Sequence, residues 1–103
     1  IDPFFAARYG QLALYNFALG KNAEAKANVL KDLDQNPADF SAWILLARLY
    51  QMENNRPGVV NALTKAFGLN SNLPQLKYLL FLAKNLPKLD QLPIQISVRE
   101  PAL

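Results

Sequence analysis

Apolar residues recur at three- and four-residue steps along most of this chain, which is the spacing of amphipathic helices. Phe5, Tyr9, Leu12, Ala13 and Asn16 make the first stripe. Asp2-Pro3 stands ahead of it as a cap and first-turn pair, and Gly20 behind it as a left-handed stop. Asn22 is placed to cap a second helix with Ala25, Val29 and Leu33 on its buried side. Asn36-Pro37 breaks that helix and opens a third, striped by Trp43, Leu46, Ala47 and Tyr50, which Asn54-Asn55 ends. Pro57 fits the first turn of a fourth helix carrying Val59, Leu63, Ala66 and Phe67. A turn at 70–72 leads to a fifth helix over 74–86, ended by Pro87. Only 93–98 alternates with period two, as an extended strand does.

The helices come in pairs, and the pairs repeat. A shift of 34 residues lays Tyr9 on Trp43, Leu12 on Leu46 and Ala13 on Ala47, and then Ala25 on Val59, Val29 on Leu63, Leu33 on Phe67 and Asn36 on Asn70. Four of the 34 aligned pairs are identical, so residue class carries the match. A further shift of 36 lays Trp43 on Leu79, Leu46 on Leu82, Ala47 on Ala83 and Tyr50 on Leu86. A small Ala lets two helix backbones approach closely while the aromatic beside it fills the remaining space. One such pair cannot bury both of its faces, but a stack can.

In this pattern the chain resembles the tetratricopeptide repeat family. Trp43, Leu46, Ala47, Tyr50, Val59, Leu63 and Ala66 carry the likeness in the second pair. Tyr9, Leu12, Ala13, Gly20, Ala25, Val29 and Pro37 carry it in the first. The resemblance covers 6 to about 86. It implies an all-α, right-handed stack of two helical hairpins (6–39 and 40–73) with a capping helix over 74–86, a lead-in at 1–5 and an extended, proline-containing tail over 87–103. The sequence departs from the family pattern at Asn16, where an aromatic is usual, at Asp32, where Ala is usual, at Ser71, where proline is usual, and in opening the fourth helix with Pro57-Gly58. An ordinary antiparallel helical bundle would place the same residues in its core. Residues 1–4 resemble the remnant that tag cleavage leaves.

The resemblance also implies a working surface. In such stacks the first helix of each pair lines a concave face that binds peptides. Positions one, five and eight after each aromatic anchor point there: Gly10, Leu14 and Phe17, then Ile44, Arg48 and Gln51, then Leu80 and Lys84 with Lys77 close by. This face is apolar at one end and basic at the other, and suits a protein or peptide partner with an acidic or carboxylate-bearing segment. Gly10 and Leu14 cannot reproduce the side-chain clamp by which some family members hold a peptide C-terminus. The tail, with Pro87, Pro93 and Pro101 excluding a helix of any length, could lie across the face as a lid, pair with a second copy as a homodimer, or begin another domain. Packing on the same molecule or a neighbour is the reading we favour. Oligomerisation through this apolar surface is the alternative function.

Composition narrows the chemistry. The 103 residues make one small domain, with 51% hydrophobic and 18% charged residues, enough to pack a core. Cysteine and histidine are absent, which removes disulfides, thiolate nucleophiles, histidine general bases and the usual zinc ligands. Asp2, Glu24, Asp32, Asp34, Asp39, Glu53, Asp90 and Glu100 read mostly as exposed or helix-end charges, Glu24 and Asp39 as first-turn residues favoured by the helix dipole. No pair suggests shared acid–base work, and no glycine-rich phosphate loop is present. The reading is therefore no enzyme, no catalytic residues, no cofactor and no metal. Net charge is a mild +3, and Lys21, Lys26 and Lys31, five apart, spread around a helix, so no nucleic-acid stripe forms. The apolar run 78–83, which no other run exceeds in length, is too short to insert in a membrane.

Overall fold

The fold is described from a computed structural model, which defines the backbone over residues 3–96 and the side chains from Tyr9 to Ile96. The proposed cap at Asp2, the first two residues of the remnant at 1–4, the side chain of Phe5 in the first stripe and the end of the alternating tail at Ser97 and Val98 lie outside the described residues.

Among the described residues the chain is all-helical, without a strand. It runs α1 (Pro3–Ala18), α2 (Asn22–Gln35), α3 (Phe40–Met52), α4 (Arg56–Leu69), α5 (Pro74–Asn85) and a single 3₁₀ turn at Leu89–Gln91. The 34-residue spacing seen in the side chains is also in the backbone. The two ends of α2 and α4 differ by 34 residues, as do the C-termini of α1 and α3 and the N-termini of α3 and α5. The caps repeat as well. Asn36 (φ −140°, ψ 78°) and Asn70 (φ −147°, ψ 75°) end α2 and α4 in the same conformation, each donating its backbone N–H to the carbonyl four residues back.

Each hairpin turn has the same cause. Gly20 (φ 77°) and Asn54 (φ 56°) take up the left-handed conformation after α1 and α3. That reversal lets Lys21 N–H reach the Asn16 carbonyl and Asn55 N–H the Tyr50 carbonyl, at 2.8 and 2.9 Å, satisfying acceptors that a helix end otherwise leaves open. Glycine and asparagine are the residues that adopt this conformation at least cost.

Several boundaries differ from the sequence reading. Lys21, not Asn22, is the N-cap of α2; Asn22 is its first residue, and its Oδ1 is buried without a hydrogen-bond partner among the described residues. Asn36-Pro37 closes α2 but does not open α3. That helix begins at Phe40, and Asp39 is its N-cap, its carboxylate accepting from Ala42 N–H at 3.3 Å. Asn55 ends one hairpin turn and also caps α4, accepting from Gly58 N–H at 3.0 Å. Helix α5 stops at Asn85, because Leu86 precedes Pro87 and is held extended.

The core follows the repeat. Helix α1 packs most extensively on α2 and α3 on α4, with smaller contacts of α2 with α3 and α4 with α5. Ala13, Ala47 and Ala83, aligned by the two shifts, are fully buried. So are Ala25, Val29, Val59, Leu63 and Ala66 on the second helices. The departures have local explanations. Asn16, where an aromatic would be expected, accepts from Asn28 Nδ2 at 2.8 Å across the first hairpin. Gly58 is required by contact: a Cβ there would lie 2.6 Å from Tyr50 Cγ.

Leu12 breaks the equivalence. It was placed in the buried stripe, yet it is 38% exposed and Tyr15 is 62% exposed, whereas their counterparts Leu46 and Leu49 are buried. Leu46 and Leu49 belong to a helix with a hairpin on its N-terminal side; among the described residues, α1 has none.

Candidate binding face

The residues expected on the working face divide into three groups. Leu14, Phe17, Ile44 and Leu80 are half-buried and packed against the core, presenting their outer edges. Lys77 and Lys84 are exposed, and Lys84 borders a shallow hollow with Arg56, Val60 and Thr64. Arg56 is itself committed to the fold. Its Nη1 and Nη2 donate to the carbonyls of Ala83 and Leu86, both at 2.6 Å, satisfying the open C-terminus of α5 where a cation also suits the helix dipole.

The third group is Arg48 and Gln51, and here the tail intervenes. Gln51 is buried, and its Nε2 donates to two backbone carbonyls of the tail, Leu89 at 2.9 Å and Leu92 at 2.7 Å. Arg48 Nη1 donates to Gln51 Oε1 at 2.9 Å, so guanidinium, amide and tail backbone form one chain of hydrogen bonds. Leu89, Leu92 and Ile94 are buried in the same core cluster as α1–α5, with Ile96 packed against it. The segment 89–96 therefore folds back on its own molecule. Gln51 is an internal fastener in this arrangement, not an open contact.

The described residues also bring together a cavity that the sequence did not announce. It has a volume of about 230 Å³, is partly open to solvent, and lies between α1 and α3 with α2 behind. Gly10 and Leu14 supply one wall, Val29, Ala42 and Leu45 the apolar floor, and Gln11, Ser41 and Asp39 the polar rim. Behind Gly10 stands Asp32, whose carboxyl carbon and both oxygens lie 3.5 Å from where a Cβ on that glycine would be.

Asp32 corrects the sequence reading twice. It is not an exposed or helix-end charge but is only 1% exposed, and it forms a carboxyl pair with Asp39, seven residues on. Among the described residues neither of its oxygens has a donor. Burial pushes its pKa up to about 7, with the hydrogen bond to and like charge of Asp39 adding to the effect. Two facing carboxylates have no proton between them, so protonating Asp32 creates the missing donor. The only sequence signal was Asp32 at the position where the second pair has Ala66. Nothing in a linear pattern placed it opposite Asp39.

Among the described residues no group of three or more acidic side chains is arranged to hold a metal ion, and no helix is long and apolar enough to cross a membrane. The class that fold and surface define is thus an all-helical domain with a repeating hairpin unit and a partly covered face. Compared with known proteins, the chain matches no family model, no curated protein and no solved structure.

Proposed function

We propose that this domain is a non-catalytic protein-interaction module, an adaptor or scaffold element built as a tetratricopeptide-like right-handed stack, which binds an extended peptide along the face formed by α1, α3 and α5. The observation that carries this reading is the 34-residue recurrence of helix ends, caps and left-handed turns. A hairpin unit repeated at that period stacks into a surface lined by its first helices. Leu14, Phe17, Ile44 and Leu80 offer that surface half-buried apolar edges. At its other end Arg48 retains donors beyond the one given to Gln51, and with Lys77 and Lys84 it suits acidic side chains or a carboxylate. Nucleic acid and membrane are not its partners in this reading.

The test is a peptide array probed with the labelled protein. Acidic peptides carrying apolar residues are retained by the wild type. Arg48→Glu lowers their capture at least tenfold while the helical circular dichroism stays unchanged. Equal capture by the variant would remove Arg48 from the binding surface.

A second reading, self-association, is favoured by the exposed apolar residues at the two ends of the chain of helices: Leu12 and Tyr15 on α1 with Leu19 in the turn after it, and Tyr78 and Phe81 on α5. The tail contributes less to it than the sequence suggested, since Leu89, Leu92 and Ile94 are buried within their own chain.

A further inference from the structure

The α1–α3 cavity has a chemistry of its own. We propose that it is a socket for a long-stemmed basic side chain, lysine or arginine, carried by the peptide that binds this face. The peptide part of this statement rests on the function proposed above; the cation part rests on the cavity alone. Four observations support it.

The first is size. About 230 Å³ is many times the ~10–15 Å³ in which a single water can sit. That is far more than one bridging water needs, and it suits an extended side chain.

The second is the lining. Leu14, Val29 and Leu45 present apolar walls, and Asp39 and Ser41 stand at the polar rim. An aliphatic stem with a charged head matches that division, the methylenes against the walls and the cation at the carboxylate.

The third is Asp32. It is buried, its oxygens have no donor among the described residues, and it faces the cavity wall at the one position that lacks a side chain, Gly10. A buried carboxyl beside a half-buried one calls for a cation or a shared proton.

The fourth is that three of the described cations of α2 and α3 are engaged elsewhere. Lys31, beside Asp32 in sequence, has its Nζ over the Tyr9 ring at 5.5 Å, Lys26 pairs with Glu53 at 3.0 Å, and Arg48 donates to Gln51. Among the described residues no Lys or Arg lines the cavity. The face thus has an acidic end at α1–α3 and a basic end at Arg48, Lys77 and Lys84, which would fix the direction of a bound peptide.

The experiment uses the ¹⁵N-labelled protein and three small probes: N-acetyl-lysine methylamide, N-acetyl-arginine methylamide and the uncharged norleucine analogue. The basic probes should shift the amides of Gly10, Gln11, Ser41 and Ala42, and norleucine should bind at least tenfold more weakly. Asp39→Asn, which retains a good N-cap for α3, should weaken the basic probes at least tenfold. Asp32→Asn should weaken them severalfold, with circular dichroism confirming that both variants are folded. Equal binding of lysine and norleucine, shifts centred elsewhere, or full lysine affinity in Asp39→Asn would overturn the socket. A second arm uses pentapeptides Ala-Leu-X-Leu-Ala with X lysine, arginine or norleucine. Binding indifferent to X overturns the socket and leaves the peptide face standing. Binding of the small basic probes without any of the peptides supports the socket and removes the peptide face.

Discussion

Replacing Asp32 with asparagine should make the protein more stable above pH 7 and erase most of its pH dependence between pH 5 and pH 7. Asp32 is 1% exposed, and burial, with Asp39 beside it, moves its pKa from 3.8 to about 7. The folded chain therefore holds a proton that the unfolded chain has already released. Stability is full below the unfolded value, falls as pH rises through the window between the two, and levels off above pH 7. The slope reaches about 1.4 kcal/mol per pH unit and halves as the folded pKa is approached, so about 2 kcal/mol is lost between pH 5 and pH 7, and the whole displacement corresponds to about 4 kcal/mol. The window is clean because the chain has no histidine, the one side chain whose ordinary pKa falls inside it. Asparagine keeps the shape, carries no titrating proton, and can donate from its amide to Asp39. Urea unfolding at pH 5, 6, 7 and 8, followed by circular dichroism, should show a falling curve for the wild type and a nearly flat one for Asp32→Asn. The variant should lead by about 2–4 kcal/mol at pH 8. A wild-type curve that is flat or rising from pH 5 to 7, or a variant no more stable at pH 8, would refute the buried carboxyl pair.

Two further substitutions probe the tail and the second hairpin. Gln51→Ala removes one of the two donors to each of the carbonyls of Leu89 and Leu92, which keep the backbone N–H groups of Leu92 and Ile94, and should cost about 1–2 kcal/mol; trypsin should then cut after Lys88 faster than in the wild type, and unchanged cleavage would show that the tail is held without the amide. Gly58→Ala puts a Cβ 2.6 Å from Tyr50 Cγ and 2.9 Å from Asn55 Nδ2. Its clash, about 1–3 kcal/mol, should outweigh the helix-propensity gain of about 1 kcal/mol, so the melting temperature falls; an unchanged or higher value would place the ring elsewhere.

Much of the architecture was legible in the sequence because its determinants are local. Gly20 marked a left-handed stop, Pro57 a first turn, and the spacing of Ala13, Ala47 and Ala83 gave the buried faces before any coordinates. Other features escaped because they depend on what lies opposite. Gln51 donates to backbone carbonyls nearly forty residues away, and a backbone acceptor leaves no signature in sequence. Asp32 reads as one more solvated carboxylate until α3 brings Asp39 to it. Leu12 and Leu46 are the same residue type at the same repeat position, and among the described residues only Leu46 has a hairpin on the N-terminal side of its helix. That Arg48 would be tied through Gln51 to the tail could not be read from the sequence either.

The central claim, that α1, α3 and α5 form a peptide-binding face, is tested most directly by titrating the ¹⁵N-labelled protein with the strongest peptide from the array and mapping the shifted amides. The account predicts a continuous set through Gly10, Leu14, Ile44, Arg48 and Leu80, with Lys84 at one edge. Shifts gathered instead at Leu12, Tyr15 and Leu19, or at Tyr78 and Phe81, would contradict it and place the contact at the exposed ends of the helix stack.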